Sequence, residues 1–195
     1  MTAAPRSRRG LHLVAPPPRT PAIPNEVLGT LIFVGAEAMV FAGLISAFVV
    51  LRAGMPAWPP IDQPRFPLGV TTLNTAVLLA SGWTMHRARR GDTARWLGIT
   101  LALGVAFLTI QGIEWARLVA HGLRIVGGVY GGLFATLIGT HAVHVAGGVV
   151  ALWVAYRAAA PARGTLRTPV LTAVGVFWTF VVGVWPVLFV LVYLT

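Results

Sequence analysis

The stretch VGAEAMVFAGLISAF, residues 34–48, contains one ionisable side chain, Glu37, among apolar and small residues. It lies within a longer apolar run, and about 20 apolar residues are enough to cross the roughly 30 Å hydrocarbon core of a bilayer as a helix. The chain of 195 residues is 56% hydrophobic and only 10% charged, whereas a soluble domain carries about 25% charged residues. The stretch therefore predicts a membrane-spanning helix with a carboxyl group near its middle.

Four further apolar runs follow this one, so the predicted fold class is all-α, a polytopic membrane bundle of five transmembrane helices. Their approximate bounds are 27–51, 69–86, 95–119, 126–156 and 168–194. The fourth run is longer than a bilayer requires, so it either tilts or begins as a re-entrant stretch. Residues 1–25 are rich in proline and arginine, and we expect them to form a flexible cytoplasmic tail before a membrane domain at 26–195.

The basic residues predict the orientation of the bundle. All fifteen are arginines; eleven lie in the N-terminal tail and the second and fourth connections, and four lie in the first and third. Because cytoplasmic segments are enriched in basic residues, we expect the N-terminus in the cytoplasm and the C-terminus outside. The net charge of +10 suits anionic lipid headgroups, and we expect no nucleic-acid partner. The lack of cysteine excludes disulfides and thiolate-bound metals.

A small set of polar side chains falls inside the apolar runs or at their ends. A charged group costs about 2.5–3.5 kcal/mol at the middle of a membrane helix, so such residues normally face the bundle interior and find a partner there. The candidates for buried polar, proton or lipid contacts are Glu37, Asn74, Gln111, Glu114, His141, His144 and Arg157. We predict no catalytic, metal-binding or cofactor-binding residue in this chain.

Glu37 has two interpretations. Apolar surroundings disfavour the charged form of a carboxyl group, so we expect a protonated, hydrogen-bonded side chain. It either relays protons or forms an interhelical hydrogen bond that holds the bundle together, and we favour the second. Glu37 shares a bulky helix face with Phe33, Phe41, Leu44 and Phe48. Small residues on another side of the helix would allow close helix packing.

His141 and His144 are three residues apart and lie on one face of the fourth predicted helix. Two histidines make a weak metal site without further ligands, so we favour polar contacts between helices over metal ligation. Glu114 and Arg117 have the same spacing and can pair. Together with Trp115, a typical interfacial anchor, they favour a capped and anchored end of the third helix.

Four segments carry motifs that occur together in one known family. They are GAEAMVFAGLISAF (35–48), PLGVTTLNTAVLLASGWTMHRA (67–88), TIQGIEWARL (109–118) and GGLFATLIGTHAVHVAGGVVAL (131–152). In this order they resemble subunit III of the haem–copper oxidases, in its five-helix bacterial form. By this resemblance Glu37 matches the family's carbodiimide-reactive membrane glutamate, and the other matched positions are Asn74, Glu114, His141 and His144.

The resemblance implies a non-catalytic accessory subunit of a terminal respiratory oxidase, spanning the inner membrane of a bacterium several times. Haem and copper are then expected in partner subunits and not in this chain. The main partner would be subunit I, with subunits II and IV as further candidates, and phospholipid would be bound. The implied role is to support assembly, proton uptake and the stability of the oxygen-reducing centre in aerobic electron transport.

The last predicted helix departs from the family pattern. Its segment FWTFVVGVW, residues 177–185, has Thr179 where the family has histidine and Val182 where it has aspartate. This departure keeps open an alternative, a subunit III-like accessory protein of a nitric oxide reductase. A remoter alternative is an independent proton or ion transporter. The sequence shows neither an inverted repeat nor a helix broken at mid-membrane, both of which are common in transporters.

Overall fold

The computed structural model describes residues 22–56, 68–122, 128–161 and 164–194. Within these ranges the chain forms five α-helices, the last of which continues into a π-helical turn. They are α1 (Asn25–Ala53), α2 (Leu68–Ala88), α3 (Thr93–Ala120), α4 (Val129–Ala159) and α5 (Thr168–Phe189), with the turn at Val190–Leu194. The predicted all-α bundle of five helices is confirmed. Of the predicted tail, residues 1–21 lie outside the described ranges.

Four of the described helices are long and apolar enough to cross a membrane, namely α1, α3, α4 and α5 with its π-helical turn. Helix α2 has 21 residues, which is long enough to cross about 30 Å. Its first half, however, carries Asn74 and three threonines, Thr71, Thr72 and Thr75. The predicted crossing of the membrane by α2 therefore stays a prediction.

The ends of the helices follow local sequence signals. Helix α3 begins at Thr93 because the Asp92 carboxylate caps it, accepting a hydrogen bond from the Arg95 backbone N–H at 3.1 Å. Helix α4 runs unbroken from Val129 through the following GGLF segment, so no re-entrant break occurs in its described residues. Residues 126 and 127, where this helix was predicted to begin, lie outside the described ranges.

The end of the last helix differs from the single helix predicted over 168–194. Pro186 lies inside α5 and has no N–H to donate, so it interrupts the hydrogen-bond ladder of that helix. A few residues later the α-helix ends at Phe189 and Val190–Leu194 form the π-helical turn. Turns of this kind are rare and often occur at functional sites. Here the turn contains Tyr193, whose side chain is buried in the bundle.

Helix α5 is central to the described bundle because it packs against α1, α2 and α4. Helices α2 and α3 form a closely packed pair, and α3 also packs against α4. Helix α1 is peripheral and lies against α5 and α4. Only 11% of its most apolar window is buried, against 33% for α4 and α5. The environment of α1 outside this bundle must therefore be lipid or another protein.

The two faces of α1 have different roles. Its bulky face points into the bundle, where Phe41 and Phe48 are buried and the Phe33 ring lies 5.8 Å from that of Phe177 in α5. The small residues predicted to allow close helix packing point the other way. A Cβ atom added at Gly35 or Gly43 would have no atom of another described helix within 4 Å. Within the described residues, no helix packs against that small-residue face.

Trp178 of α5 holds the centre of the bundle together. Its ring is fully buried, and its indole N–H donates to the Ser81 hydroxyl of α2 at 3.2 Å. Glycines in two other helices make room for the ring. A Cβ atom at Gly104 of α3 would lie 2.8 Å from it, and one at Gly148 of α4 would lie 2.7 Å from it. These two glycines are therefore needed for close approach, and Trp178 contacts three neighbouring helices.

We predict that Gly148→Ala weakens the bundle while Gly147→Ala does not. The new methyl group at position 148 would clash with the buried Trp178 ring, and overpacking of this kind costs about 1–3 kcal/mol. Gly147 is exposed and has no atom of another described helix within 4 Å of its Cβ position, so alanine there should be neutral or stabilising by up to about 1 kcal/mol. Thermal unfolding of the purified protein measures both effects. Equal midpoints for the two variants would contradict the packing described for Trp178.

Candidate functional site

Glu37 of α1 lies against His144 of α4. Its Oε2 atom is 2.9 Å from the imidazole Nε2 atom, and the two side chains retain 19% and 14% exposure. The other ring nitrogen of His144, Nδ1, lies 2.8 Å from the backbone carbonyl oxygen of Thr140, one turn earlier in α4. The aromatic ring of Phe41 packs against the imidazole at 5.2 Å. The two polar groups are thus paired across helices and shielded on one side by an aromatic ring.

These contacts limit where the hydrogens of the pair can lie. A carbonyl oxygen only accepts hydrogen bonds, so Nδ1 of His144 must carry a hydrogen. Nε2 then either accepts the proton of a protonated Glu37 or carries a second hydrogen and donates it to the carboxylate. Both forms have zero net charge, and they differ only in the position of one proton within the bridge. A neutral pair is the form that costs least in an apolar environment.

A second polar cluster joins α2, α3 and the π-helical turn. The Asn74 amide nitrogen donates to the Phe107 carbonyl oxygen at 3.1 Å and lies 3.4 Å from Gln111 Oε1. The Gln111 amide in turn donates to the Tyr193 hydroxyl at 3.2 Å. The sequence does not indicate a role for Tyr193, because the position of this side chain depends on the π-helical turn, for which the sequence has no clear signal apart from the nearby proline.

Glu114 lies one turn further along α3 and is 6% exposed. Its carboxylate forms an ion pair with Arg117 at 2.9 Å, and the Arg117 side chain is 65% exposed. This is the i, i+3 pair that the sequence spacing allows. Trp115 between them packs its ring 5.5 Å from Phe134 of α4. The end of α3 therefore presents a charge at the surface and a buried acid behind it.

His141 is in a different environment from His144, although both lie on α4. It is 1% exposed, and its ring stacks on Trp185 at a centroid distance of 5.0 Å. Neither ring nitrogen has a hydrogen-bond partner among the described residues. The two histidines do not converge on a common ligand. In the described part of the chain, no group of three or more histidine, aspartate or glutamate residues is placed to hold a metal ion.

Arg157 lies apart from the other candidates. It is exposed near the end of α4, thirteen positions after His144, which corresponds to about 20 Å along a helix. Its guanidinium group lies 5.5 Å from the ring centroid of Trp153, a distance suited to a cation–π contact. Arg157 is thus a surface residue of one end of the bundle and not a member of either polar cluster.

Thr179 and Val182, where the last helix departs from the family pattern, both make contacts within the bundle. The Thr179 hydroxyl donates to the Gly175 carbonyl oxygen of its own helix at 2.7 Å. Val182 packs closely against Gly82 of α2, where an added Cβ atom would lie 3.0 Å from the valine side chain. At these two positions α5 therefore uses a local hydrogen bond and apolar packing.

The sequence model of the family described as cytochrome c oxidase subunit III matches residues 20–195. The chain belongs to the cytochrome c oxidase subunit III family. It is similar to cytochrome c oxidase subunit 3 of Synechocystis, with 34% identity over 178 residues, covering 87% of this chain and 75% of the relative. The protein of that name from Corynebacterium diphtheriae is 32% identical over 194 residues, covering 92% of this chain and 94% of the relative.

Membership of the subunit III family makes the chain a multi-pass membrane protein and an accessory subunit of a respiratory oxidase. Subunit III proteins associate with other oxidase subunits and carry no metal centre of their own. Both polar clusters therefore belong to an accessory subunit. The Glu37–His144 pair is partly exposed at the edge of the bundle.

We predict that Glu37→Gln preserves the bundle whereas Glu37→Ala weakens it. The amide N–H of glutamine can donate to Nε2 of His144 as a protonated carboxyl group does. Alanine leaves the imidazole without a partner and opens a small hole, at a cost of about 1–3 kcal/mol. The measurement is the yield and thermal midpoint of the assembled oxidase containing each variant. If alanine matched glutamine in both, the hydrogen bond would make no contribution to stability.

Proposed function

We propose that this chain packs on subunit I of a terminal haem–copper oxidase and supports assembly, proton uptake and the stability of the oxygen-reducing centre. The observation that carries the proposal is the Glu37–His144 pair at 2.9 Å in a subunit III family member. The two forms of the pair differ by the transfer of one proton over a short distance, without a change in net charge. Oxygen reduction itself takes place in the partner subunits, so this chain is not catalytic on its own.

The exposure of the pair supports a role in proton exchange with the surroundings of the bundle. Glu37 and His144 side chains retain 19% and 14% exposure, so a proton can reach them from water or from a group on a neighbouring subunit. The rest of the α1 surface is strongly apolar. Ile32, Met39 and Val50 are 67%, 76% and 70% exposed. Lipid or subunit I must cover these side chains in the membrane, because large exposed apolar surfaces indicate contact with lipid or protein.

The arginine distribution supports an orientation with the start of α1 in the cytoplasm and the end of the chain outside. Arginines also join helices at that end of the bundle. Arg167 pairs with Glu26 at 3.0 Å, which joins the starts of α5 and α1. Arg89 donates to the Thr172 carbonyl oxygen of α5 at 2.9 Å. Arg157, exposed beside Trp153, is available for the phosphate group of a bound phospholipid.

The orientation predicts opposite labelling of two introduced cysteines. The chain has no cysteine of its own, so Gly91→Cys and His121→Cys each give a single thiol at an exposed position. A membrane-impermeant thiol reagent added to intact cells should label position 121 and not position 91. Opening the cells should make position 91 reactive as well. Labelling of position 91 alone in intact cells would show the opposite orientation and contradict the proposed topology.

We predict that an affinity tag on this chain isolates a haem-containing oxidase. Expected products are subunit I, its haem absorption spectrum and oxygen consumption by the purified complex. The departures at Thr179 and Val182 make a nitric oxide reductase the second candidate. A large subunit that reduces nitric oxide and not oxygen would favour that alternative. A stable chain purified without any haem-bearing subunit would contradict both.

Glu37→Gln separates proton chemistry from a purely structural role. Glutamine preserves the hydrogen bond but cannot exchange a proton. If the pair supports proton uptake, the assembled variant oxidase should turn over more slowly or inactivate sooner than the wild type. The measurement is oxygen consumption per haem over repeated turnovers, with Val143→Leu on the exposed face of α4 as a control. Wild-type turnover in a normally assembled variant would restrict Glu37 to a structural role.

A further inference from the structure

The imidazole of His141 is buried without a hydrogen-bond partner among the described residues, and the proposed function gives it no role. An imidazole ring always carries at least one N–H donor, and its neutral form also has one acceptor nitrogen. Both nitrogens of His141 are buried and have no hydrogen-bond partner among the described residues. Leaving a buried donor or acceptor unpaired costs about 1–3 kcal/mol. Such a group in a native protein is therefore normally paired, often with an ordered water molecule.

The surroundings of His141 limit what the partner can be. The ring is enclosed by Phe41 of α1, Phe107 of α3 and Trp185 of α5, at centroid distances of 6.4, 6.2 and 5.0 Å. The residue is 1% exposed, so neither a lipid headgroup nor a side chain of a neighbouring subunit can reach it without opening the bundle. Contacts between an N–H group and an aromatic face are weak. A small polar molecule inside the bundle fits these restrictions best.

A second buried polar atom without a partner in the described part of the chain belongs to Asn74 of α2. The Asn74 side chain is 1% exposed, and its Oδ1 atom has no partner among the described residues. Its amide nitrogen donates to the backbone oxygen of Phe107, whose ring contacts both His141 and Trp185. Oδ1 accepts hydrogen bonds, and a ring N–H of His141 donates them. Water does both, and buried waters typically bond two to four polar groups.

We propose that His141 and Asn74 each bind internal water within the bundle. A water molecule accepts a hydrogen bond from the His141 ring, and a water molecule donates one to Asn74 Oδ1. Water binding here is independent of the identity of the partner oxidase, because both residues belong to this chain. It also gives His141 a role different from that of His144, which uses both of its nitrogens in bonds within the protein.

The test is a cryo-EM map of the intact oxidase at a resolution that shows ordered water. We expect at least one non-protein peak at hydrogen-bond distance, about 2.6–3.2 Å, from a ring nitrogen of His141, and a peak at a similar distance from Asn74 Oδ1. A His141 ring surrounded only by carbon atoms, or bonded to a protein group, would overturn the proposal. So would peaks assigned to a molecule other than water.

A variant map shows whether His141 holds the water. His141→Phe preserves a ring of similar shape and removes both nitrogens, so the peak next to position 141 should disappear while Trp185 and Phe107 stay in place. Val143→Leu, on the exposed face of the same helix, is the control and should retain the peak. Persistence of the peak in the phenylalanine variant would show that His141 does not bind it. If that variant fails to assemble, Asn74→Leu provides the same comparison for the peak at Oδ1.

Discussion

A polar group inside a bilayer has no bulk water to bond with, and this constraint governs which side chains the bundle can bury. Glu37 satisfies it by bonding His144 across the interface between α1 and α4. Asn74 and Gln111 satisfy much of it by bonding each other, the backbone of α3 and Tyr193 of the π-helical turn. Each of these bonds joins two segments, so the rare polar residues also fix how the helices are arranged.

Aromatic rings and glycines provide the close packing around those bonds. In a membrane, helix association depends on van der Waals contact and interhelical hydrogen bonds, because lipid is as apolar as the side chains. Trp178 combines both, since its ring packs over Gly104 and Gly148 and its indole N–H donates to Ser81. Trp185, about two turns later in α5, also combines ring packing with a hydrogen bond. Its ring packs against Phe107, and its indole N–H donates to the Thr75 hydroxyl at 2.8 Å. Central α5 is therefore fixed by two tryptophans, each anchored at a polar atom of α2.

The position of the Glu37–His144 pair connects this packing to the proposed role in proton uptake. The pair lies between the peripheral helix and the rest of the bundle, where it is shielded by Phe41 yet not fully enclosed. A subunit without a metal centre of its own can act on an oxidase only through surfaces and groups that the partner subunits or protons can reach. A partly exposed acid–base pair meets that requirement, whereas the buried His141 does not and is better suited to holding water inside the bundle.

The apolar runs predicted all five helices and most of their bounds, because a run of about 20 apolar residues forms a helix in a membrane. Four of the five helices are apolar enough to cross a membrane by this criterion. The sequence also identified the candidate polar residues, because each is a polar exception in or next to an apolar run. It did not determine their hydrogen-bond partners. Glu37 and His144 are 107 positions apart, and no local spacing rule links residues on different helices. Only the packing of the helices determines that Tyr193 bonds Gln111 and that His141 and His144 lie in different environments. This is because the rotation and depth of each helix in the membrane depend on its contacts with the other helices.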